Sequence, residues 1–341
     1  MRKGQNPAKM GTLPPAKAER LGVATLVYIP EQTGYFEQSL EIFKIHAASL
    51  RQYTPEPFNY VVFDNGSCDA VKQELVRMHL DGQIDWLYLH DANLGKTGAL
   101  NILLAGMPNE WICFADSDML FRPGWLEESW KIERAFPNCG MIGAQIIFPD
   151  WEVDKGNTAF RKTEDPRFRF SQWKPDDWIV SEYCRARGIT EEKTREYGAM
   201  LLDRVADSQS GVEAILGGNS HQEWLARKDV LARILPLPAT QALNRKEDTY
   251  QDQRLDELGY LHLTTTRPYL YHMGNTLDPE ILPEIAKLDL GAAAKPAAGA
   301  PARAKNHPLW KLLAALKRRP AGKRFLLRLY DNLYQLLSSQ E

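Results

Sequence analysis

Trp111-Ile112-Cys113-Phe114-Ala115-Asp116-Ser117-Asp118 is the stretch on which the reading of this chain turns. An unbroken apolar run of this kind suits a strand covered on both faces, and it stops abruptly at two carboxylates spaced i, i+2. On a strand that spacing points both acids to one face, with Cα atoms roughly 6.6 Å apart if the backbone stays extended. Two carboxylates so placed can converge on one hard cation, or divide a metal and sugar hydroxyls between them, which makes a site for a metal-bound diphosphate. The competing reading is a loop with two solvated acids. Asp-x-Asp alone is too common to choose between them, so the surrounding sequence must.

Upstream, strand and helix patterns alternate. Val23 to Ile29 is a nearly continuous apolar run closed by Pro30, and residues 35–52 then place Leu40, Phe43, Ala47 and Leu50 at helical spacing. Tyr60-Val61-Val62-Phe63 is a second buried strand, ending at Asp64-Asn65-Gly66-Ser67. A helix from Asp69, a strand over 84–89 and a helix from Lys96 to Ala105 lead into the Asp-Ser-Asp strand. This βαβαβαβ order implies an α/β protein with a doubly wound, mainly parallel sheet and flanking helices. Ligands of such sheets bind beyond the carboxyl ends of the strands, and polar clusters stand at three of those ends: Pro30, 64–67 and 116–118.

Composition narrows the classes. A chain of 341 residues can bury a large core, as one domain of ~250 residues with appendages. Its 44% hydrophobic and 25% charged residues are ordinary for a globular enzyme, and a net charge of -2 gives no global reason to expect nucleic acid. Cys68, Cys113, Cys139 and Cys184 lack Cys-x-x-Cys spacing and a neighbouring His cluster, so they read as reduced thiols. Residues 1–20 read as a disordered basic tail without the apolar segment of a signal peptide, and no stretch approaches the ~20 apolar residues of a membrane span. A cytoplasmic location is expected.

Downstream, residues 149–215 carry Trp151, Trp173 and Trp178 with little periodicity and read as an insertion on the acceptor side of a domain spanning 21–290. Order resumes at Gly217-Gly218-Asn219, followed by a helix or strand over 224–235 and a helix opened by Glu247-Asp248. A strand over 261–266 and the segment Tyr271-His272-Met273-Gly274-Asn275 come next. Residues 291–305, nearly all Ala, Pro, Gly and basic, read as a linker. Beyond it, 306–341 sets Leu309, Leu312, Leu313 and Leu316 on one helical face, and Leu326, Leu329, Leu333 and Leu337 on another. Eight Lys or Arg and no acid lie between Lys305 and Arg328, which suits peripheral contact with the inner face of an anionic membrane; packing on protein is the alternative.

Taken together the motifs over about 22–275 resemble the inverting family 2 glycosyltransferases, whose nucleotide-sugar-binding domain has the GT-A fold. Asp64-Asn65-Gly66-Ser67-Cys68-Asp69 resembles that family's Asp-Asn-Gly-Ser-Thr-Asp loop, with Cys68 as the departure. Asn93-Leu94-Gly95-Lys96-Thr97-Gly98-Ala99-Leu100-Asn101 resembles its Asn-x-Gly-x-x-Gly-Ala-x-Asn segment. Asp116-Ser117-Asp118 matches the Asp-x-Asp position, and Glu247-Asp248 followed by Arg254-Leu255 and Gly259-Tyr260 has the spacing of the acidic pair. Leu255 stands where processive polysaccharide synthases carry Trp, which implies addition of a single sugar.

The roles come partly from chemistry and partly from the resemblance. A carboxylate at a strand end can accept the imide N–H of uracil or thymine, and Asp64 is so placed; a turn residue capping the next helix is the other reading. Asn65-Gly66 permits the tight turn there. Gly95 and Lys96, just before a helix, suit ribose or phosphate oxygens, and Pro30, Asn93 and Asn101 join them around the donor. The resemblance assigns metal coordination to Asp118, ribose or metal-bound water to Asp116, and a supplementary ligand to His272. Oxygen ligands favour Mn²⁺ or Mg²⁺. By the same resemblance Asp248 is the general base and Glu247 its backup.

The expected function is transfer of one sugar from a nucleoside-diphosphate donor, UDP or dTDP type favoured, to a hydroxyl of a glycan or lipid-linked glycan in surface polysaccharide or glycolipid biosynthesis. A sugar-phosphate nucleotidyltransferase shares the sheet and metal logic. Against it, Ile29-Pro30-Glu31-Gln32-Thr33-Gly34 lacks the basic, glycine-rich loop such enzymes carry after the first strand. A non-catalytic GT-A scaffold is the other alternative; intact Asp118 and Asp248 argue against it.

Overall fold

The computed structural model describes residues 17–148, 156–217, 221–238 and 246–291, with residues 246–249 placed by backbone alone. All but Lys17 of these fall in one unit, Ala18–Lys295. The amphipathic segment 306–341 and nearly all of the linker lie outside the described residues.

The alternating order expected from the sequence is the observed one. Strands β1 (Leu21–Val27), β2 (Phe58–Asn65), β3 (Trp86–His90) and β4 (Trp111–Ala115) are separated by helices α1 (Ser39–Tyr53), α2 (Asp69–Leu80) and α3 (Gly95–Gly106). They line up as β3-β2-β1-β4, and every pairing among them is parallel. Successive residues of β1 and β2 serve opposite faces, as a strand's two-residue period requires. Val23 and Val62 pack with Phe43, Leu50, Val71 and Leu75 of α1 and α2. Ala24 and Val61 pack with Ala99, Leu100 and Leu103 of α3. The sheet is doubly wound because both faces are apolar and both must be covered.

Past β4 the chain passes through β5 (Met119–Phe121), α4 (Trp125–Ala135) and β6 (Cys139–Gly143). The described part of the irregular stretch, read from sequence as an insertion, is ordered: β7 (Phe168–Trp173), α5 (Asp177–Ala186), α6 (Glu191–Gly198), β8 (Leu202–Asp207) and β9 (Glu213–Leu216). Its three strands form an antiparallel meander that extends the main sheet. Residues 224–235 are both a strand and a helix: β10 (Glu223–Arg227) runs antiparallel to β4 and leads into α7 (Lys228–Ile234). Then come α8 (Lys246–Glu257), β11 (Leu261–Thr264) and β12 (Leu270–His272). The full order is β3-β2-β1-β4-β10-β6-β11-β9-β8-β7, and β12 pairs separately with β5. Among the described residues no helix is long and apolar enough to cross a membrane.

One buried imidazole fixes how α1 meets the strands. His46 on α1 donates from Nδ1 to the Met119 carbonyl (2.8 Å), and its Nε2, 3.0 Å from Thr25 Oγ1, is then the acceptor of that hydroxyl. Burial pushes its pKa from 6.5 to about 4, against a smaller upward pull from the Met119 bond and the Asp118 charge. The unfolded chain therefore binds a proton here at a pH where the folded chain does not. Stability is whole above about pH 6.5, declines as pH falls toward about 4 and is flat with respect to this group below that, a loss of about 3 kcal/mol. Urea unfolding at pH 7.5, 5.5 and 4.5 should show this decline in the wild type and a shallower one in His46→Gln. Equal declines would remove His46 as its source.

Candidate functional site

The carboxyl ends of β1, β2 and β4 lie side by side, and the polar loops that leave them meet there. The 64–68 loop is clasped to the end of β1: Ile29 N donates to Ser67 Oγ (2.9 Å), and Cys68 N to the Ile29 carbonyl (3.0 Å). Asp64 is fully buried at the end of β2. Its Oδ1 accepts from Ser67 N (3.1 Å), while its Oδ2 is buried without a partner. One oxygen thus makes the turn, and the other is an acceptor awaiting a donor. Such an orphan is costly unless a ligand satisfies it.

Asn65 fastens this loop to the next. Its Oδ1 accepts from Leu94 N (2.9 Å), and its Nδ2 donates to Asn93 Oδ1 (3.0 Å), which also receives Gly95 N (2.7 Å). Gly66 has φ +91, and a Cβ there would stand 2.9 Å from the Ala92 carbonyl carbon, so only glycine lets the two backbones approach. Asn101 is likewise engaged, donating to the Leu237 carbonyl (2.9 Å) and accepting from Leu237 N (2.7 Å). Asn65, Asn93 and Asn101 were expected around the donor. In the structure their side chains bond one another and neighbouring backbone. Pro30 is half-buried just past β1.

Asp116 and Asp118 depart from the extended geometry expected of them. β4 ends at Ala115, and the next residues form a turn closed by Met119 N to the Asp116 carbonyl (3.3 Å). The two carboxylates consequently take different partners. Asp116 pairs with Lys96, whose Nζ lies 3.0 Å from Oδ1 and 3.2 Å from Oδ2. Asp118 Oδ2 lies 3.2 Å from His272 Nε2. That meeting is made by the β5–β12 pair, in which His272 stands opposite Met119, and by Met273 N donating to the Asp118 carbonyl (2.8 Å).

The environments push the two acids apart. Burial raises the Asp116 carboxyl, with Lys96 pulling it down and the Asp118 charge pushing it up further. Burial pushes Asp118 up too, but the hydrogen bond and charge of His272, with that of His46, outweigh it and hold the group low. The partners therefore shift the two carboxyls in opposite directions, Asp116 upward and Asp118 downward.

Among the described residues no three His, Cys, Asp or Glu side chains converge as a metal cage. Asp118 Oδ1 and His272 Nδ1 are nevertheless buried without hydrogen-bond partners. A cation that takes one or two protein ligands and completes its shell with substrate phosphate and water fits such a donor set. Asp116 offers less, because both its oxygens face Lys96.

Residues 43–187 match the family described as Glycosyl transferase family 2. That stretch is similar to a family 2 glycosyltransferase domain. The match takes in Asp64, Lys96, Asp116 and Asp118 and ends before His272 and α8. Among solved structures, S. aureus TarS 1–349 is similar with a TM-score of 0.39 and 14% identity over 78% of this chain and 63% of that one. The longer TarS structure gives 0.40 and 14% over 78% and 38%. TarS 1–349 in complex with UDP gives 0.40 and 14% over 78% and 63%. The chain therefore spans less than two thirds of the length of these structures. No curated protein matches it.

Three groups at this site had escaped the sequence reading. Arg187, just after α5, donates from Nη2 to Gln222 Oε1 (2.7 Å), stacks 4.1 Å from the Tyr183 ring centroid and lines a small cavity with His272. Its Nη1 is buried without a partner. Glu223 on β10, opposite Ala115, is fully buried and pushed up to about 8, against the pull of the Ala144 N–H. His46 lies behind the turn. None sits in a motif. Their partners come from distant parts of the chain, so local sequence carried no signal. The acidic pair Glu247-Asp248 stands at the start of α8, and its side chains lie outside the described residues, as do Gly218 and Asn219.

The close backbone approach at Gly66 makes a measurable demand. Gly66→Ala should lower stability by about 1–3 kcal/mol, the usual cost of a forced left-handed residue together with displaced neighbours. Gly188→Ala, at φ +59 but with open space around it, is the control. Thermal unfolding of the two variants should differ, and equal melting temperatures would show that the 64–68 and 92–95 loops yield freely.

Proposed function

We propose that this glycosyltransferase moves one sugar, with inversion, from a UDP- or dTDP-type nucleoside-diphosphate sugar to a hydroxyl of a glycan or lipid-linked glycan, in surface polysaccharide or glycolipid assembly. The observation that carries this reading is the pairing of Asp118 with His272 beside the Lys96–Asp116 ion pair, at the strand ends where Asp64 offers an unpartnered carboxylate oxygen. An acceptor for a pyrimidine imide and a charged site for a diphosphate lie at neighbouring strand ends, as a nucleotide lying across them needs.

In the proposed reaction Asp64 Oδ2 accepts the base N–H, and the 92–96 loop with Lys96 faces ribose and phosphate oxygens. Asp118 and His272 would hold Mn²⁺ or Mg²⁺, which when bound supplies Lewis-acid stabilisation of the departing diphosphate. Asp248, at the start of α8, takes the proton of the acceptor hydroxyl. The acceptor oxygen forms its bond to the anomeric carbon as the carbon–oxygen bond to the diphosphate breaks, and the electron pair leaves with the nucleoside diphosphate. Lys96 and Arg187 are cations that act on Asp116 and Asp118 and temper the charge gathered there. Leu255 supports single addition over processive synthesis.

Two variants test the assignments against a panel of UDP- and dTDP-hexoses with and without Mn²⁺. Asp118→Ala should lose metal-dependent turnover and the metal-dependent rise in melting temperature while keeping a cooperative transition. Normal turnover would take Asp118 out of the reaction. Asp248→Asn should keep donor affinity and lose kcat by about 10²–10⁴-fold, the usual worth of a general base. An unchanged kcat with weakened donor binding would reassign Asp248 to binding.

A further inference from the structure

A second cluster of titratable side chains lies outside the donor site, buried under α8. Asp252 is 8% exposed, and its carboxylate lies between two imidazoles: His221 Nε2 is 3.1 Å from Oδ2, and His262 Nδ1 is 3.2 Å from Oδ1. Burial alone would raise this carboxyl, but the charge and hydrogen bond of His221, together with the His262 ring beside the other oxygen, hold it well below the usual carboxylate range. His262, on β11, is locked in turn. Asn157 bonds its backbone in both directions at 2.9 Å, and the Gly156 backbone lies so close that a Cβ there would be 2.0 Å from its Nε2.

The positions of the acids on α8 give this cluster a direction. Residues 248, 252 and 256 recur at i, i+4 and i+8, which places them along one helical face. Asp256 accepts from Thr158 N (2.7 Å) and Asp252 is held by the two histidines, so the helix is moored at two successive turns. Asp248 is the next turn toward the helix start.

The mooring also reaches the donor site. His221 precedes Gln222, whose carbonyl accepts Asp116 N (2.7 Å) and whose Oε1 accepts from Arg187 (2.7 Å). The two-residue segment 221–222 is bonded at one end to α8 and at the other to the turn that carries Asp116 and Asp118. A carboxylate between two imidazoles is also selective in geometry: a shift of α8 would break one contact or the other, leaving a buried charge poorly compensated.

We infer that Asp252 is a positioning residue which, through His221 and His262, sets the distance between the helix carrying Asp248 and the turn carrying the donor-side acids. The inference rests on the proposed role of Asp248 as base. If the proton acceptor must meet the hydroxyl within hydrogen-bond reach, loosening α8 costs turnover while leaving donor affinity in place, because the donor contacts sit on other elements.

The test is a double-mutant cycle on the full chain, using whichever UDP- or dTDP-hexose is hydrolysed fastest, with melting temperatures taken alongside. Asp252→Ala should lower kcat at least tenfold with donor KM changed less than twofold, and Asp252→Asn, which retains shape and an acceptor oxygen, should recover part of the loss. Asp248→Asn/Asp252→Ala should be no slower than Asp248→Asn alone, since a residue acting through Asp248 has nothing left to position. Asp256→Asn should change kcat less than Asp252→Ala.

The inference is overturned if Asp252→Ala keeps kcat within twofold, raises KM with kcat unchanged, or multiplies its effect with that of Asp248→Asn. It is also overturned if the activity lost merely tracks the fraction unfolded. Full kcat in Asp248→Asn would remove the base assignment and the inference with it, whereas a slow Asp248→Asn with a multiplying cycle removes the inference alone. Should Asp252→Ala fail to fold, Asp252→Asn and His262→Gln run the same cycle.

Discussion

The site depends on one reversal of the chain. β4 ends at Ala115: the Asp116 amide makes one more bond in register with the β10 side, to the Gln222 carbonyl, and the chain then folds back as a turn into β5. Two long-range hydrogen bonds hold the turn from both ends, Asp116 N to Gln222 and Met273 N to the Asp118 carbonyl. Everything charged at the site is arranged around it. Lys96 reaches it from α3, His272 from β12, and His46 supports it from behind. Two half-buried carboxylates within one turn repel each other and lose part of their hydration, and the three cationic or polar neighbours offset that cost.

That arrangement assigns unequal duties to acids that look equivalent on paper. Asp116 has both oxygens on an ammonium group, and Asp118 leaves one oxygen buried and unpartnered. A lysine is a point charge that moves with its carboxylate. A histidine on a paired strand is fixed in place, so Asp118 is the better-oriented of the two carboxylates.

The half of the sheet that carries the site was legible because its information is local. The buried strands β1, β2 and β4 are continuous apolar runs, the helices between them keep a clean helical period, and the loops at their ends are polar. What escaped was set by partners far away in the chain. Nothing near Asp116 announces that its carbonyl will be closed into a turn by the Met119 amide, so the extended reading of Asp-Ser-Asp failed. β7 hid for another reason: as an edge strand it buries Phe168 but exposes most of its remaining residues, and neither a buried run nor a helical stripe results. The asparagines of these loops are visible in the sequence as polar residues, but their bonds to one another and to distant backbone, as at Asn101 and Leu237, come only from the folded chain.

The contact between Gly66 and the Ala92 backbone ties two loops of different strands into one rigid body, joined again by Asn65 to Leu94. Lengthening either loop by a residue would displace the other. The parts of this wall are therefore exchangeable only as a pair. Any lineage, or any engineer, that reshapes this wall must move residues 64–68 and 92–95 together, as a single cassette.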